Sequence, residues 1–395
     1  MITVNTAESA LRNIYLETVI NEINNRTNPF LTMISQNTKT IAENTARVDI
    51  RYGNEGNVKA GTEDGALPKF NAKHASVEVP LKNLYGTFHI TDKALKAAQN
   101  TPGAHTALLG GEMKNLVSVA QANLNRMVYG NGEPVLAHTV SLTAGSFGVE
   151  VRDAGKFSSG MRLRLKRSDG ASVGGILTVT SINGAQVGFS PSITIPRADR
   201  LYIYAEDSEG LELNGIDSIF GQDRLYNLDR SAHPEILPFS KWVDGEGAGK
   251  SRVISEADIS DFLYELEEYA KTMPTDIMLT HPTVLKALFE EAKHNRIAIE
   301  AAEFEGGFKG FKFNGIPVYG DVRCMPGVVY ALDSSSWVMH QLNEWEWLEG
   351  EESKILSQIP GTATYSATLV KYADLVCERP FTQGKLSGFT GARWR

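Results

Sequence analysis

Between Ala104 and Tyr129 the apolar residues Leu109, Met113, Leu116, Val117, Ala120, Leu124, Met127 and Val128 return at steps of three and four, the period of one face of an α-helix. At about 1.5 Å per residue this predicts a rod of roughly 38 Å. Gly130-Asn131-Gly132 stops it, as glycines past a helix end do. A helix of that length sets the long dimension of whatever body buries its stripe.

Two kinds of chain precede the rod. From Thr6 to Asn25 the residues Leu11, Tyr15, Val19, Ile20 and Ile23 keep helical spacing. Asn28-Pro29 ends that helix, because the residue before proline is pushed out of helical backbone. Then Arg47–Tyr52 alternates as Val48, Ile50 and Tyr52, and Val77–Leu81 as Val77, Val79 and Leu81, the period of half-buried strands. The polar, glycine-rich stretch 53–75 between them predicts a long hairpin with a loose tip. Two strands are at best marginally stable alone in water. No neighbouring segment offers this ribbon a cover, so the expectation is that an adjacent subunit supplies it. Tyr85–Thr91 reads as a further strand, and Asp92–Gln99 as a short helix before the long one.

The pattern changes after the rod. Met161–Leu165, Gly175–Ile182, Ala185–Phe189 and Arg200–Tyr204 read as short strands, with hairpin turns at Ser168-Asp169-Gly170 and Asn183-Gly184. Residues 135–206 therefore predict a small β-barrel set into a larger body. Beyond Leu211 helices return. Ser255-x-x-Asp258 forms a capping box with Asp in the Glu position and opens a helix to Met273, with Ile259, Phe262, Leu263, Leu266, Ala270 and Met273 on its apolar face. Asp276–Thr280 reads as a buried strand, and Pro282 starts a helix carrying Val284, Leu285, Leu288, Phe289 and Ala292. Strands follow at Ile316–Tyr319, Val328–Leu332, Trp337–Leu342, Trp345–Leu348 and Tyr365–Cys377, then Arg379-Pro380 and a glycine-rich tail.

Composition narrows the function. A chain of 395 residues suggests two or three domains, and 42% hydrophobic with 22% charged residues is ordinary for a soluble globular protein. A net charge of -8 argues against a dedicated nucleic-acid binder. Cys324 and Cys377 are too few for a disulfide framework; two buried thiols in a reducing cytoplasm are expected. Met1–Leu16 does not read as a signal peptide, and no run approaches the roughly 18 apolar residues of a membrane span, so no membrane contact is expected.

No motif commits the chain to catalysis. Gly245-Glu246-Gly247-Ala248-Gly249-Lys250-Ser251 ends like a phosphate-binding loop. Its first glycine position is Asp244, which puts a carboxylate where phosphate belongs. Pro238–Val243 before it is no buried strand, and the next helix starts only near Ser255. It reads as a surface loop. The histidines at 74, 89, 105, 138, 233, 281, 294 and 340 lack zinc-site spacing, and His281 reads as a helix-entry residue. Glu349, Glu351 and Glu352 read as a solvated face, and Trp337, Trp345 and Trp347 as sheet core or subunit contact. Lys59, Lys69 and Lys73 on the ribbon read as solvated or paired with a neighbour's acids. No catalytic, cofactor-binding or metal residue is assigned, and no cofactor is expected; the chain reads as a non-enzyme.

Two segments carry a resemblance: Gly86-Thr87-Phe88-His89-Ile90-Thr91-Asp92-Lys93-Ala94 leading to the rod and Tyr129-Gly130-Asn131-Gly132, and Tyr372-Ala373-Asp374-Leu375-Val376-Cys377-Glu378-Arg379-Pro380 followed by Gly384-Lys385-Leu386-Ser387-Gly388. In register with the element order, they resemble tailed-bacteriophage major capsid proteins of the Hong Kong 97-type fold. The resemblance implies an α+β body: an N-terminal arm (1–35), an extended hairpin called the E-loop with a peripheral-domain strand (36–90), the peripheral domain with its spine helix (91–134), the inserted β-barrel (135–206), an axial domain (207–362), and a C-terminal peripheral strand and tail (363–395).

It further implies a shell subunit that self-assembles as hexamers and pentamers around double-stranded DNA, in the virion, after assembly in the host bacterial cytoplasm. Scaffolding, portal and decoration proteins are the other implied partners. Some relatives carry a long N-terminal scaffolding segment; this chain starts almost at the arm, so the scaffold is expected as a separate protein. Some relatives crosslink through an E-loop lysine. Nothing marks a partner asparagine or catalytic glutamate here, and that chemistry is not carried over. The alternatives are an encapsulin-type compartment of the same fold and, remotely, a nucleotide-binding enzyme using the 245–251 loop.

Overall fold

The computed structural model describes residues 11–52, 63, 73–99, 104–132, 135–141, 148–151, 154, 157, 159–167, 171–193, 201–206, 208, 210–221, 224–245, 251–294, 300–303, 307–350 and 354–390. In chain order, a π-turn at Leu11–Tyr15 leads to α1 (Leu16–Arg26) and α2 (Pro29–Met33), then β1 (Thr45–Tyr52), β2 (Lys73–Pro80) and β3 (Lys82–Thr91). Next come α3 (Asp92–Gln99) and the rod α4 (Ala104–Val128). Six strands follow: β4 (Val135–Ser141), β5 (Gly148–Val151), β6 (Arg162–Lys166), β7 (Ser172–Asn183), β8 (Gln186–Ser190) and β9 (Tyr202–Ala205). The remainder is β10 (Phe239–Trp242), α5 (Glu256–Ala270), β11 (Ile277–Thr280), α6 (Pro282–His294), β12 (Glu300–Glu303), β13 (Lys309–Phe313), β14 (Ile316–Gly320), β15 (Val328–Leu332), β16 (Trp337–Gln341), β17 (Thr364–Cys377) and β18 (Gly384–Ser387).

Three bodies organise these elements. In the first, β17 is the central strand, paired antiparallel with β3 along ten register positions on one side and with β16 on the other. The short strand Ser35–Asn37 extends that sheet in parallel beyond β16. The rod lays Leu109, Met113, Leu116 and Leu124 on this sheet against Phe88, Leu369 and Trp347, and α1 adds Val19 and Ile23 to the same core. Close approach is needed there: a Cβ on Gly86 would stand 3.0 Å from Leu116 Cδ1.

The second body is a seven-stranded mixed sheet in the order β10-β18-β15-β11-β14-β13-β12. Apolar faces of α5 and α6, through Ile259, Phe262, Leu266, Val284 and Leu288, pack on β11, β14, β15 and β18. Here the chain end matters: β18 sits between β10 and β15, so the tail after Pro380 completes this sheet rather than the one holding β17. A Cβ on Gly384 would meet Phe262 Cζ at 2.7 Å and Leu266 Cδ2 at 2.8 Å. The glycine is where helix and strand touch.

The third body is a closed barrel, β8-β5-β4-β9-β6-β7, around its own core of residues such as Leu163, Leu165, Val187, Phe189 and Ile203. Four of its strands match the sequence reading; β4 and β5 close it. Gly184 takes positive φ (+61) in the β7–β8 hairpin, where the turn residues are Gly184 and Ala185 because Asn183 already pairs with Gln186.

Local rules hold at most helix ends. Asn28 is extended and its Oδ1 accepts from Phe30 N at 2.8 Å, so it ends one helix and caps the next. The capping box forms, with Ser255 Oγ accepting from Asp258 N and Asp258 Oδ2 accepting from Ser255 N at 2.8 Å. Two positions depart from expectation. α5 ends at Ala270 with Lys271 left-handed, and Met273 is 81% exposed, because Met273 precedes Pro274 and cannot stay helical. Phe289 of α6 lies at the solvent rim, 46% exposed.

The larger correction concerns the ribbon. Its apolar face, Ala46, Val48, Ile50, Ala75, Val77 and Val79, is buried in one cluster with Ile216, Ile219, Leu225 and Ile236 of the same chain. Tyr52 and His233 have ring centroids 5.6 Å apart, and Glu78 N donates to Asn227 Oδ1 at 3.4 Å. The stem thus has a cover from its own chain, made by short turns at Ile216–Phe220 and Pro234–Ile236 that carry no strand or helix period. The tip at 53–62 and 64–72, with Lys59 and Lys69, lies outside the described residues, as does the side chain of Lys73. No helix among the described residues is long and apolar enough to cross a membrane.

Candidate functional site

The residues that could have carried chemistry do not converge. Within the phosphate-loop-like segment, 246–250 lie outside the described residues. The preceding Phe239–Trp242 forms a strand at the sheet edge with no buried residue, Trp242 being 54% exposed, in keeping with the expectation of no buried strand there. The following helix begins at Glu256, its N-terminus already carrying the Asp258 carboxylate, which pairs with Arg252. A phosphate would meet that negative charge where it needs free N–H groups. His281 serves as helix entry: its Nδ1 accepts from Thr283 N at 3.3 Å and contacts Thr283 Oγ1 at 2.8 Å. Trp337, Trp345 and Trp347 are buried in the cores. Glu349 pairs with Arg12 at 2.8 Å on the surface, and Glu351 and Glu352 lie outside the described residues. Cys324 and Cys377 are buried free thiols. Among the described residues, no group of three or more His, Cys, Asp or Glu could hold a metal.

What the fold does present is an open groove of about 1370 Å³ between β3, α4 and the base of the barrel. Every residue from Pro80 to His89 contributes to its lining, as do Val119 of the rod, Gly160–Arg162 of the barrel and Leu211 of the segment leaving the barrel. Among the described residues β3 makes a ladder only with β17, so its other edge keeps backbone N–H and C=O groups able to pair with another chain. Tyr85 and Leu211 are each 60% exposed and Val119 is 53% exposed. An extended segment laid on β3 would find both strand partners and apolar contacts.

Buried charges hold the groove in shape. At its floor Arg126 donates to both oxygens of Glu212, at 2.8 and 2.6 Å, and both side chains are almost fully buried. This fork joins the rod to the segment leaving the barrel. At the rim, Lys82 Nζ donates to Gly210 O at 2.5 Å. Nearby Lys371 Nζ donates to Glu344 Oε1 at 2.5 Å and lies 5.6 Å from the Trp345 ring. Burial pulls Lys371 below the usual lysine range, against the pull of Glu344.

On β17, Asp374 is fully buried, and burial pushes its carboxyl up to about 7. Three donors oppose that rise: Asn214 N at 2.8 Å, Asn214 Nδ2 at 2.6 Å and Leu375 N at 2.9 Å. His340, directly opposite in the β16–β17 ladder, is pushed down to about 4 by burial, with Nδ1 2.9 Å from Thr40 Oγ1. A third polar centre joins Asn28, Asn125 and Tyr129 to Asp321. Asn125 Nδ2 donates to Asp321 Oδ2 at 2.8 Å, and Asn28 Nδ2 donates to Asn125 Oδ1 at 2.8 Å and to Tyr129 Oη at 3.0 Å. These hydrogen bonds join separate elements of the fold and hold its surfaces in place.

No protein-family model matches the chain, and no curated protein does. Solved structures match over nearly the full length. The capsid asymmetric unit of cyanophage A-1(L) aligns with a TM-score of 0.52 at 10% identity, covering 96% of this chain and 95% of that chain. An encapsulin complex from Synechococcus elongatus aligns at 0.47 and 9% identity, covering 92% and 88%. A structure of mycobacterium phage Bobi aligns at 0.41 and 10% identity, covering 98% of both. The likeness to the cyanophage subunit establishes the fold: a mixed α+β body of the capsid kind.

Proposed function

We propose that this chain is the major capsid protein of a tailed phage, a non-enzymatic subunit that assembles with copies of itself into an icosahedral shell around double-stranded DNA. The observation that carries the reading is the fold likeness to a phage capsid subunit across 96% of the chain. The groove with its open β3 edge supports it, because exposed strand edges on a soluble chain are sites another chain covers. In this reading the chain divides into arm 1–35, E-loop and strand 36–90, peripheral domain 91–134, barrel 135–206, axial domain 207–362 and C-terminal strand and tail 363–395, with the strand at Gly384–Ser387 joining the axial sheet and Trp337–Gln341 joining the peripheral one.

In this reading the rod stiffens the peripheral domain. Because the apolar face of the ribbon stem is covered by its own chain, the stem needs no neighbour to cover it, and the groove beside β3 is a surface that an extended segment of a neighbouring copy can occupy. Stability of the shell comes from apolar area buried between subunits, with rim ion pairs contributing little individually. A scaffolding protein, a portal and a decoration protein are the other partners of such a shell, and the virion is its location.

Electron microscopy of the expressed, purified chain tests this. Closed icosahedral particles are expected; a monodisperse monomer at high concentration overturns the reading. Particles recovered from the natural source with DNA inside support a phage shell, whereas particles filled with enzyme indicate an encapsulin-type compartment.

A further inference from the structure

Charge is divided unevenly along this chain. Residues 135–206, the barrel, hold eight Lys and Arg against five Asp and Glu, a net +3. The whole chain carries -8, so every other segment together carries -11.

One described face carries part of each excess. On β6 the alternation buries Leu163 and Leu165 in the barrel core and places the exposed Arg162 and the half-buried Arg164 and Lys166 on the other side of the strand. Next to them β9 turns Tyr202 and Tyr204 outward, in register with Lys166 and Arg164. Lys166 Nζ lies 5.3 Å from the Tyr204 ring centroid, and Arg162 donates to Glu206 at 2.9 Å. At about 3.3 Å per residue the three cations span roughly 13 Å.

The opposite pole is α5, with six acidic residues and no Lys or Arg. Asp258 is turned inward to the cap. Asp261, Tyr264, Glu265 and Glu268 share the outer face at spacings of three and four, and all four are exposed, Tyr264 at 69%. Lys241 reaches Glu265 at 2.5 Å. At about 1.5 Å per residue the three carboxylates span roughly 10 Å. Met273, just past the helix, is also exposed.

We propose that these two faces meet between neighbouring copies, the β6–β9 face of one barrel docking on the outer face of α5 in the next subunit. The proposal rests on the reading of the chain as a shell subunit. Rows of opposite charge and similar length, with exposed Tyr264 on one and half-buried Tyr202 and Tyr204 beside the other, are what a charge-steered interface with aromatic contacts requires. The contact joins two different patches, so it is head-to-tail and propagates from copy to copy, as a ring or shell needs. A polyanion such as DNA would match the basic row but leave the acidic, tyrosine-bearing row of α5 unmatched.

A charge swap tests the pairing. Arg164→Glu with Lys166→Glu, and separately Asp261→Lys with Glu268→Lys, are expected to raise the concentration needed for association at least tenfold, read by sedimentation and electron microscopy. All four substitutions together should bring it back to within about threefold of wild type. The α5 substitutions lie on an exposed helix face, and circular dichroism confirms that each variant is folded. If the barrel pair fails to fold, the proposal stands or falls on the α5 pair: unchanged association overturns it. Two pairs that assemble like wild type, or a combined variant no better than the worse pair, overturn it. So does loss of binding to a double-stranded DNA fragment in the barrel variant with association unchanged. A wild-type chain that forms small oligomers but no shell refutes the capsid reading while leaving the swap interpretable.

Discussion

Removing the positive half of the Arg126–Glu212 fork should be among the most damaging single changes in this fold. The two side chains are 9% and 6% exposed, and the pair is bidentate at 2.8 and 2.6 Å. Arg126→Met keeps most of the volume and leaves the Glu212 carboxylate buried without its partner. Opposite charges about 4 Å apart interact by about 4 kcal/mol at an effective dielectric near 20, and breaking a buried pair by removing one partner costs about 3–5 kcal/mol. Both routes give the same range. Arg126→Met with Glu212→Leu removes the orphaned charge together with its partner, so the double variant should lie within about 1 kcal/mol of wild type. Urea unfolding of the unassembled subunit, followed by tryptophan fluorescence at several protein concentrations, reads these differences; Trp345 lies in the core beside α4. A cost under about 1 kcal/mol for Arg126→Met, or a double variant costing the sum of the two singles, would refute the reasoning. Because the fork pins the segment leaving the barrel to the rod, the single variant should also assemble poorly, and the double variant should recover.

Asp374 should impose a pH dependence. Its folded value near 7 lies above an ordinary aspartate's 3.8, so the folded state holds a proton the unfolded chain gives up, and the stability tied to this group is lost as pH rises from about 4 to about 7. The loss is on the order of 4 kcal/mol. His340, depressed to about 4, works the other way, losing stability as pH falls from about 6.5. Urea midpoints of wild type and Asp374→Asn at pH 4.5 and 7.5 separate the two effects, the variant gaining relative to wild type at the higher pH; parallel profiles would contradict the assignment. Gly384→Ala should cost about 1–3 kcal/mol through overpacking against Phe262 and Leu266, read as a lower urea midpoint, and a neutral result would mean that α5 can move away freely. Cys324 and Cys377, both fully buried, should be inert to a disulfide reagent in the native subunit and release two thiols per chain in denaturant; rapid native labelling would contradict their burial.

Elements built from near neighbours were legible in the residues. The rod, the helix stop at Asn28-Pro29, the Ser255 cap, the entry at His281 and most of the alternating strands follow from periods and capping chemistry within a few positions. The buried tryptophans and thiols followed in the same way, since large apolar groups at strand spacing seek a core.

What only the tertiary structure decided are the long-range partnerships. Gly384–Ser387 lies beside Val328–Leu332, and the ribbon rests on Ile216–Ile236; in each case the partner lies far along the chain and has no period that announces it. Strand identity there is conferred by the partner's hydrogen bonds and buried area, which favour an extended conformation that the local sequence leaves undecided. The groove beside Lys82–Thr91 and the division of charge between barrel and helix depend likewise on which faces the packed sheets turn outward. Periodicity says that a residue has an inside and an outside; packing alone says what lies on each.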